Sequence, residues 1–228
     1  NVAFTGFAVT LVGSGALSSS GTASGNLSET AGGTISEGSA GIQLTGTAGN
    51  TATFTVTGSG DDVDLGSGAN DFNGEQATIQ ASGTGSVGNV RVVDTNAAFV
   101  PLTLPGPITS LVLSDSNAPI TVAAGTFTGV GTGTNLAGTS STLDVTAGGA
   151  ITQSGALSVS GSTALDADGG AGDITLSNAG NAFNGDITVD GANVTLANMD
   201  STTLAGAVTA SNFTLDAGGD VTFGAASS

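Results

Sequence analysis

The chain contains no cysteine, histidine, tryptophan or tyrosine, one methionine, and a single cation among its 228 residues, Arg91. Each absence excludes something. Without cysteine there is no disulfide framework and no thiolate metal cluster. Without histidine, cysteine, tyrosine or lysine, the usual general bases, nucleophiles and electrophiles are missing, so the chain is expected not to be an enzyme. Eighteen acidic residues against one basic give a net charge of −17. Nothing is left to neutralise a phosphate backbone or an anionic lipid surface, which excludes nucleic acid as a partner. No apolar run approaches the roughly 20 residues that span a bilayer, so no membrane insertion is expected, and no basic-then-apolar leader opens the chain. The first residue is Asn1 rather than Met, which reads as processing or as excision from something longer. Charged residues make up only 8%, so the usual solvent face of a helix is absent.

What remains is Gly, Thr, Ser, Asn and small apolar residues. There are 39 Gly, and hydrophobic residues reach 38%. Mean hydropathy is +0.29, and short apolar pulses such as Ala8 to Val12 and Asn193 to Leu196 recur throughout, which argues against disorder. Phe54-Thr55-Val56, Val63-Asp64-Leu65, Ile174-Thr175-Leu176, Ile187-Thr188-Val189 and Phe213-Thr214-Leu215 read apolar–polar–apolar, the period of a strand. Gly, Asn, Asp or Ser punctuates each pulse. The fold class is all-β.

An internal repeat selects the architecture. Thr53 to Gly74 aligns without a gap on Ala164 to Gly185, an offset of 111. Leu65, Asn70, Phe72, Asn73 and Gly74 recur as Leu176, Asn181, Phe183, Asn184 and Gly185. Upstream, Ile42 to Gly46 parallels Leu157 to Gly161. Val9-Thr10-Leu11, Ile120-Thr121-Val122 and Val221-Thr222-Phe223 are expected at equivalent places, giving one unit over 1–111, a second over 112–220 and the start of a third at 221–228. Three-residue strands are too short for a sandwich but suit a solenoid, in which each coil stacks on the last. The prediction is one continuous parallel β-solenoid (β-helix) over 1–228. At about 20 residues per coil it would make roughly eleven coils, a rod near 50 Å long at ~4.8 Å per coil. Phe72, Asn73, Gly74, Phe183, Asn184 and Gly185 are the predicted corners, with Asn-Gly tolerating a left-handed backbone. All four prolines lie between Pro101 and Pro119. Pro removes a ladder donor, so the coil at 100–119 should be irregular, either a tolerated distortion or an exposed apolar tongue that docks a neighbour.

The segments Asn181 to Asn198 (NAFNGDITVDGANVTLAN) and Gly148 to Gly161 (GGAITQSGALSVSG) resemble adhesins of the filamentous-haemagglutinin and autotransporter types. The resemblance implies a right-handed parallel β-helix, export to the bacterial cell surface, and adhesion or biofilm duty. The chain departs from that group in its scarcity of Lys and Arg.

Three functions are weighed. The first is mechanical: a structural segment of an extracellular fibre, its partners being copies of itself stacked head to tail through the solenoid ends. The second is a binding module that recognises a glycan or host surface through loops such as Val100 to Pro119. The third concerns calcium as a stabilising ion. Asp61, Asp62 and Asp64 lie in a Gly-rich run, and Asp166, Asp168 and Asp173 flank a flexible Gly-Gly, both oxygen-only sets of the kind hard cations use. The alternative for these carboxylates is turn capping in solvent. Paired carboxylates could also hydrolyse glycosides, but Asp61-Asp62-Asp64 thins to Asp173 alone in the second copy and has no cation beside it to hold a uronate. No other cofactor is expected. Asn26, Asn193 and Asn212 head N-x-S/T sequons.

Overall fold

The computed structural model describes residues 1–66, 68, 70–99, 102–129 and 135–224. Two compact units divide it, Asn1–Ile108 and Thr109–Ser228. Each is a β-solenoid of stacked coils, and every strand pairing within them is parallel.

In the first unit each coil lays one strand on each of two faces. Val2–Gly6, Leu17–Ala23, Ile35–Leu44, Ser59–Leu65 and Ser86–Val93 stack on one; Val9–Gly13, Leu27–Ala31, Thr51–Val56, Gln76–Ala81 and Leu102–Thr103 stack on the other. Alternation decides which side chains turn inward. In Leu27–Ala31 the first, third and fifth residues are buried and the two between are not. Parallel register then builds columns. Leu27, Ala52 and Ala77 recur every 25 residues, and Phe54 sits beneath Ile79, all essentially without solvent exposure. Phe72 closes the interior against Phe54, edge to face at 6.4 Å between ring centres.

The second unit has three faces. The longest holds Ser110–Asp115, Leu143–Ala147, Thr163–Ala167, Asp186–Asp190, Thr202–Thr209 and Val221–Phe223. Another holds Ile120–Val122, Ile151–Gln153, Ile174–Leu176, Asn193–Asn198 and Asn212–Ala217, and the third Gly125–Phe127, Leu157–Val159 and Ala182–Phe183. The interior columns are again Val, Leu and Ile: Ile151, Ile174 and Val194 are stacked and buried. The 3-10 turn Asp168–Gly170 is the sole helical element among the described residues.

Several expectations change. Coil length is not a uniform 20: it is 25 residues between Leu27 and Ala52 but 19 between Val194 and Phe213. Ile120–Val122 and Val221–Phe223 do not occupy equivalent places, because they belong to different faces of the second unit. Asn73 and Gly74 do adopt the left-handed region, at φ 56° and 69°. Asn184 and Gly185 do not. Gly185 is required there for closeness, since a Cβ would stand 2.4 Å from the backbone of Gly161. In the proline-containing coil, Ile108, Leu111 and Leu113 are buried, whereas Leu102, Leu104 and Pro105 are half-buried and Pro107 is exposed, so among the described residues its apolar side chains are largely drawn inward. Val100 and Pro101, and 225–228 of the expected third copy, lie outside the described residues.

Candidate functional site

The repeat signature proves to be a hydrogen-bonded corner. Asn70 is fully buried where the chain turns after Leu65. Its Oδ1 accepts the Ile42 amide of the coil below at 2.8 Å, and its Nδ2 donates to the carbonyls of Leu65 and Val93. Asn181 repeats this 111 residues on. Its Oδ1 accepts the Leu157 amide at 3.0 Å, and its Nδ2 donates to Leu176 O. Gln153 adds two bonds to the same amide. These carboxamides satisfy backbone groups that a corner leaves without ladder partners. Two residues later the Phe amide is capped in turn: Asp94 accepts from Phe72 N and Asn198 from Phe183 N. Asn70 and Asn181 are visible in the sequence as repeated letters. Their burial and bonding are not, since Asn in a Gly-rich stretch ordinarily reads as an exposed turn residue.

The six candidate calcium ligands are not gathered into one site. Asp64 is bound by Arg91, with Nε–Oδ1 at 2.7 Å and Nη2–Oδ2 at 3.1 Å. Asp62 accepts both the backbone and side-chain amides of Asn89. Asp61 packs with Oδ2 against Gly58, which has no room for a Cβ beside it. Asp166 caps the amide of Gly169, Asp168 stands at φ 52° in the turn, and Asp173 accepts from the Asn193 backbone and side chain. Among the described residues no three acidic side chains converge as a metal ligand set. The sequon asparagines are likewise engaged: Asn212 donates to Asn193, and Asn26 accepts from the Thr51 amide.

Two further features went unread in the sequence. On the outer side of the longest face of the second unit, a shallow groove of about 220 Å³ is lined by Asp144, Thr146, Asp166, Thr188, Asp190 and Thr209, with Ala164 in its floor. Asp190 Oδ1 in this groove accepts no hydrogen bond. Inside the first unit, Glu29 is fully buried and its carboxyl is pushed up to about 7 by desolvation, against a hydrogen bond from Ser19 that lowers it. Burial likewise raises Asp115, opposed by backbone hydrogen bonds from Asn117 and Ala118. Alternation in Leu27-Ser28-Glu29-Thr30-Ala31 was the available signal for Glu29, because it puts the glutamate in phase with Leu27 and Ala31.

No helix among the described residues is long and apolar enough to cross a membrane. A family model described as repeats of unknown function (DUF5649) matches the chain twice, over residues 6–79 and 78–190. The join at 78–79 falls inside the strand Gln76–Ala81 rather than at the 111-residue offset. No curated protein and no solved structure matches the chain.

Proposed function

The chain belongs to the family described as repeats of unknown function (DUF5649), and on that premise we propose that it is a non-enzymatic structural segment of a secreted bacterial surface fibre. It is a repeat protein with a β-solenoid fold, and such a fold transmits load along the direction in which its coils stack. One observation supports the fibre most directly. The edge strand Val221–Phe223 pairs with Thr202–Thr209 on one side, and its apolar side chains stay open, Val221 at 42% and Phe223 at 73% exposure. An edge of this kind pairs with whatever strand is offered next, whether a further coil of the same polypeptide or another copy stacked head to tail. The net charge of −17 keeps the flanks of neighbouring fibres apart. Location outside the cell rests on the resemblance to exported adhesins.

The test is electron microscopy of the purified chain across a concentration series. Filaments with a regular axial repeat are expected. Phe223→Asp should abolish them without lowering the melting temperature. Discrete single particles at every concentration overturn the reading.

The groove of the second unit favours a second reading, a glycan-binding module. Its Asp and Thr side chains offer acceptors and hydroxyls that suit the hydroxyls of a sugar. Saturation-transfer NMR with neutral oligosaccharides should then show contacts that Asp190→Ala removes.

A further inference from the structure

Two glutamates lie buried in the first unit at positions where alternation ordinarily places apolar side chains. Glu29 interrupts the column that runs Leu11, Glu29, Phe54, Ile79. It has no solvent exposure, and its Oε2 has no hydrogen-bond partner. Glu37 is in phase with Ile35 and is 5% exposed. It lies one coil above Ser19 in direct register. Ser19, itself fully buried, donates its hydroxyl to Glu29 Oε1. Ser19 therefore bonds Glu29 across the interior and stands next to Glu37 in the stack, while Glu37 Oε1 accepts the Gly68 amide at 2.8 Å.

The titratable side chains on the strands around this pair are few and acidic. Val9–Gly13 below Glu29, Thr51–Val56 above it and Leu17–Ala23 across from it carry no titratable side chain. Ile35–Leu44 contributes Glu37 itself. Ser59–Leu65, stacked on the strand of Glu37, carries Asp61, Asp62 and Asp64. Val2–Gly6, beneath Leu17–Ala23, is preceded by the α-amino group of Asn1, whose side chain bonds Ser20. The chain's one cationic side chain, Arg91, is held by Asp64. None of these strands brings a Lys or Arg side chain to Glu29, and a carboxyl buried in a dry interior beside a second carboxyl favours its protonated form.

We propose that Glu29 and Glu37 form a proton-binding site inside the first unit, holding one shared proton whose loss loosens the coils around it. Protonation converts an orphaned buried acceptor into a donor and removes the like-charge repulsion. The raised position of the Glu29 carboxyl, about 7 against an ordinary 4.5, agrees with this. The sign follows from proton binding. Between those two values the folded chain holds a proton that the unfolded chain has released, so stability is full below about 4.5, falls as pH rises toward 7, and levels off above. The inference is independent of end-to-end stacking.

The experiment is a thermal melt of the full chain from acid to mildly alkaline pH, run beside Glu29→Gln and an exposed control, Asp200→Asn. The wild-type Tm should fall by at least about 5 °C across the window. Glu29→Gln should flatten the fall and melt higher than wild type at the alkaline end, whereas Asp200→Asn should keep the wild-type slope. A Glu29→Gln slope equal to wild type overturns the proposal, because general charge repulsion then explains the trend. Should Glu29→Gln not fold, infrared spectroscopy of the wild type decides. A protonated carboxyl C=O stretch present in weakly acidic deuterated buffer and lost in alkali supports the site, and its absence sinks it. Calcium restoring the alkaline loss of Tm would also overturn the proposal, by making the occupant a cation.

Discussion

Every polar atom of the Asn181 carboxamide is hydrogen-bonded, two of its partners being the Leu157 amide and the Leu176 carbonyl. Replacing it by Ala strands both backbone groups in the interior, at about 1–3 kcal/mol each. Asn181→Ala should therefore lower the melting temperature and release protection of the Leu157 amide in hydrogen exchange, and Asn70→Ala should do the same at Ile42. Asn181→Asp, which sets a buried carboxylate oxygen against the Leu176 carbonyl, should cost at least as much as Ala. The two Asn-Gly corners predict an asymmetry. Gly74 sits at φ 69° with its nearest neighbour 3.4 Å from a built Cβ, while at Gly185 that atom would stand 2.4 Å from the Gly161 backbone. Gly185→Ala should be the more damaging in a thermal melt, although the same Phe-Asn precedes both. Sequence carried the repeat of these residues faithfully and concealed their difference. Local conformation at a corner depends on how closely the preceding coil approaches, and that is set by residues a whole coil away.

At the level of elements, apolar–Thr–apolar pulses were a sound guide where the strand is short. Ile120–Val122 and Ile174–Leu176 have the bounds their alternation implies. They were a poor guide where glycine and serine dilute the pattern, as in the ten-residue strand Ile35–Leu44, whose ISEGSAGIQL carries only three bulky apolar residues. Its strand character comes from ladder pairing with coils on either side, which no local propensity reports. Glu29 and Glu37 were missed for a related reason. Acidic residues default to the surface, and only the parity of each with its neighbours contradicts that default. Phe54 is the residue on which packing of the first unit's interior is most exposed to test, and Phe54→Ala should cost about 3–5 kcal/mol in chemical denaturation. The Arg91–Asp64 pair is partly open, at 20% and 22% exposure, so Arg91→Gln should cost only about 1 kcal/mol, less in high salt.

For the whole molecule, division into the units Asn1–Ile108 and Thr109–Ser228 has a thermodynamic counterpart. Solenoid stability is a sum of coil and neighbour contributions rather than one global quantity. Phe54→Ala should accordingly lower the exchange protection of peptides from the first unit far more than that of peptides from the second, as read by mass spectrometry. Calcium is expected to have no such reach. The candidate carboxylates already serve Arg91, Asn89, Gly169 and Asn193, so melting temperature at neutral pH should be the same with calcium as with a chelator.

Arg91 has one more implication, for resistance to proteolysis. A trypsin-like protease cuts after Lys or Arg, and this polypeptide offers it one peptide bond, Arg91–Val92. That bond lies within the paired strand Ser86–Val93, with Val92 wholly buried and the guanidinium clamped by an aspartate. Digestion of the native protein should leave it intact, and the same enzyme acting after heat denaturation should yield two fragments and no more.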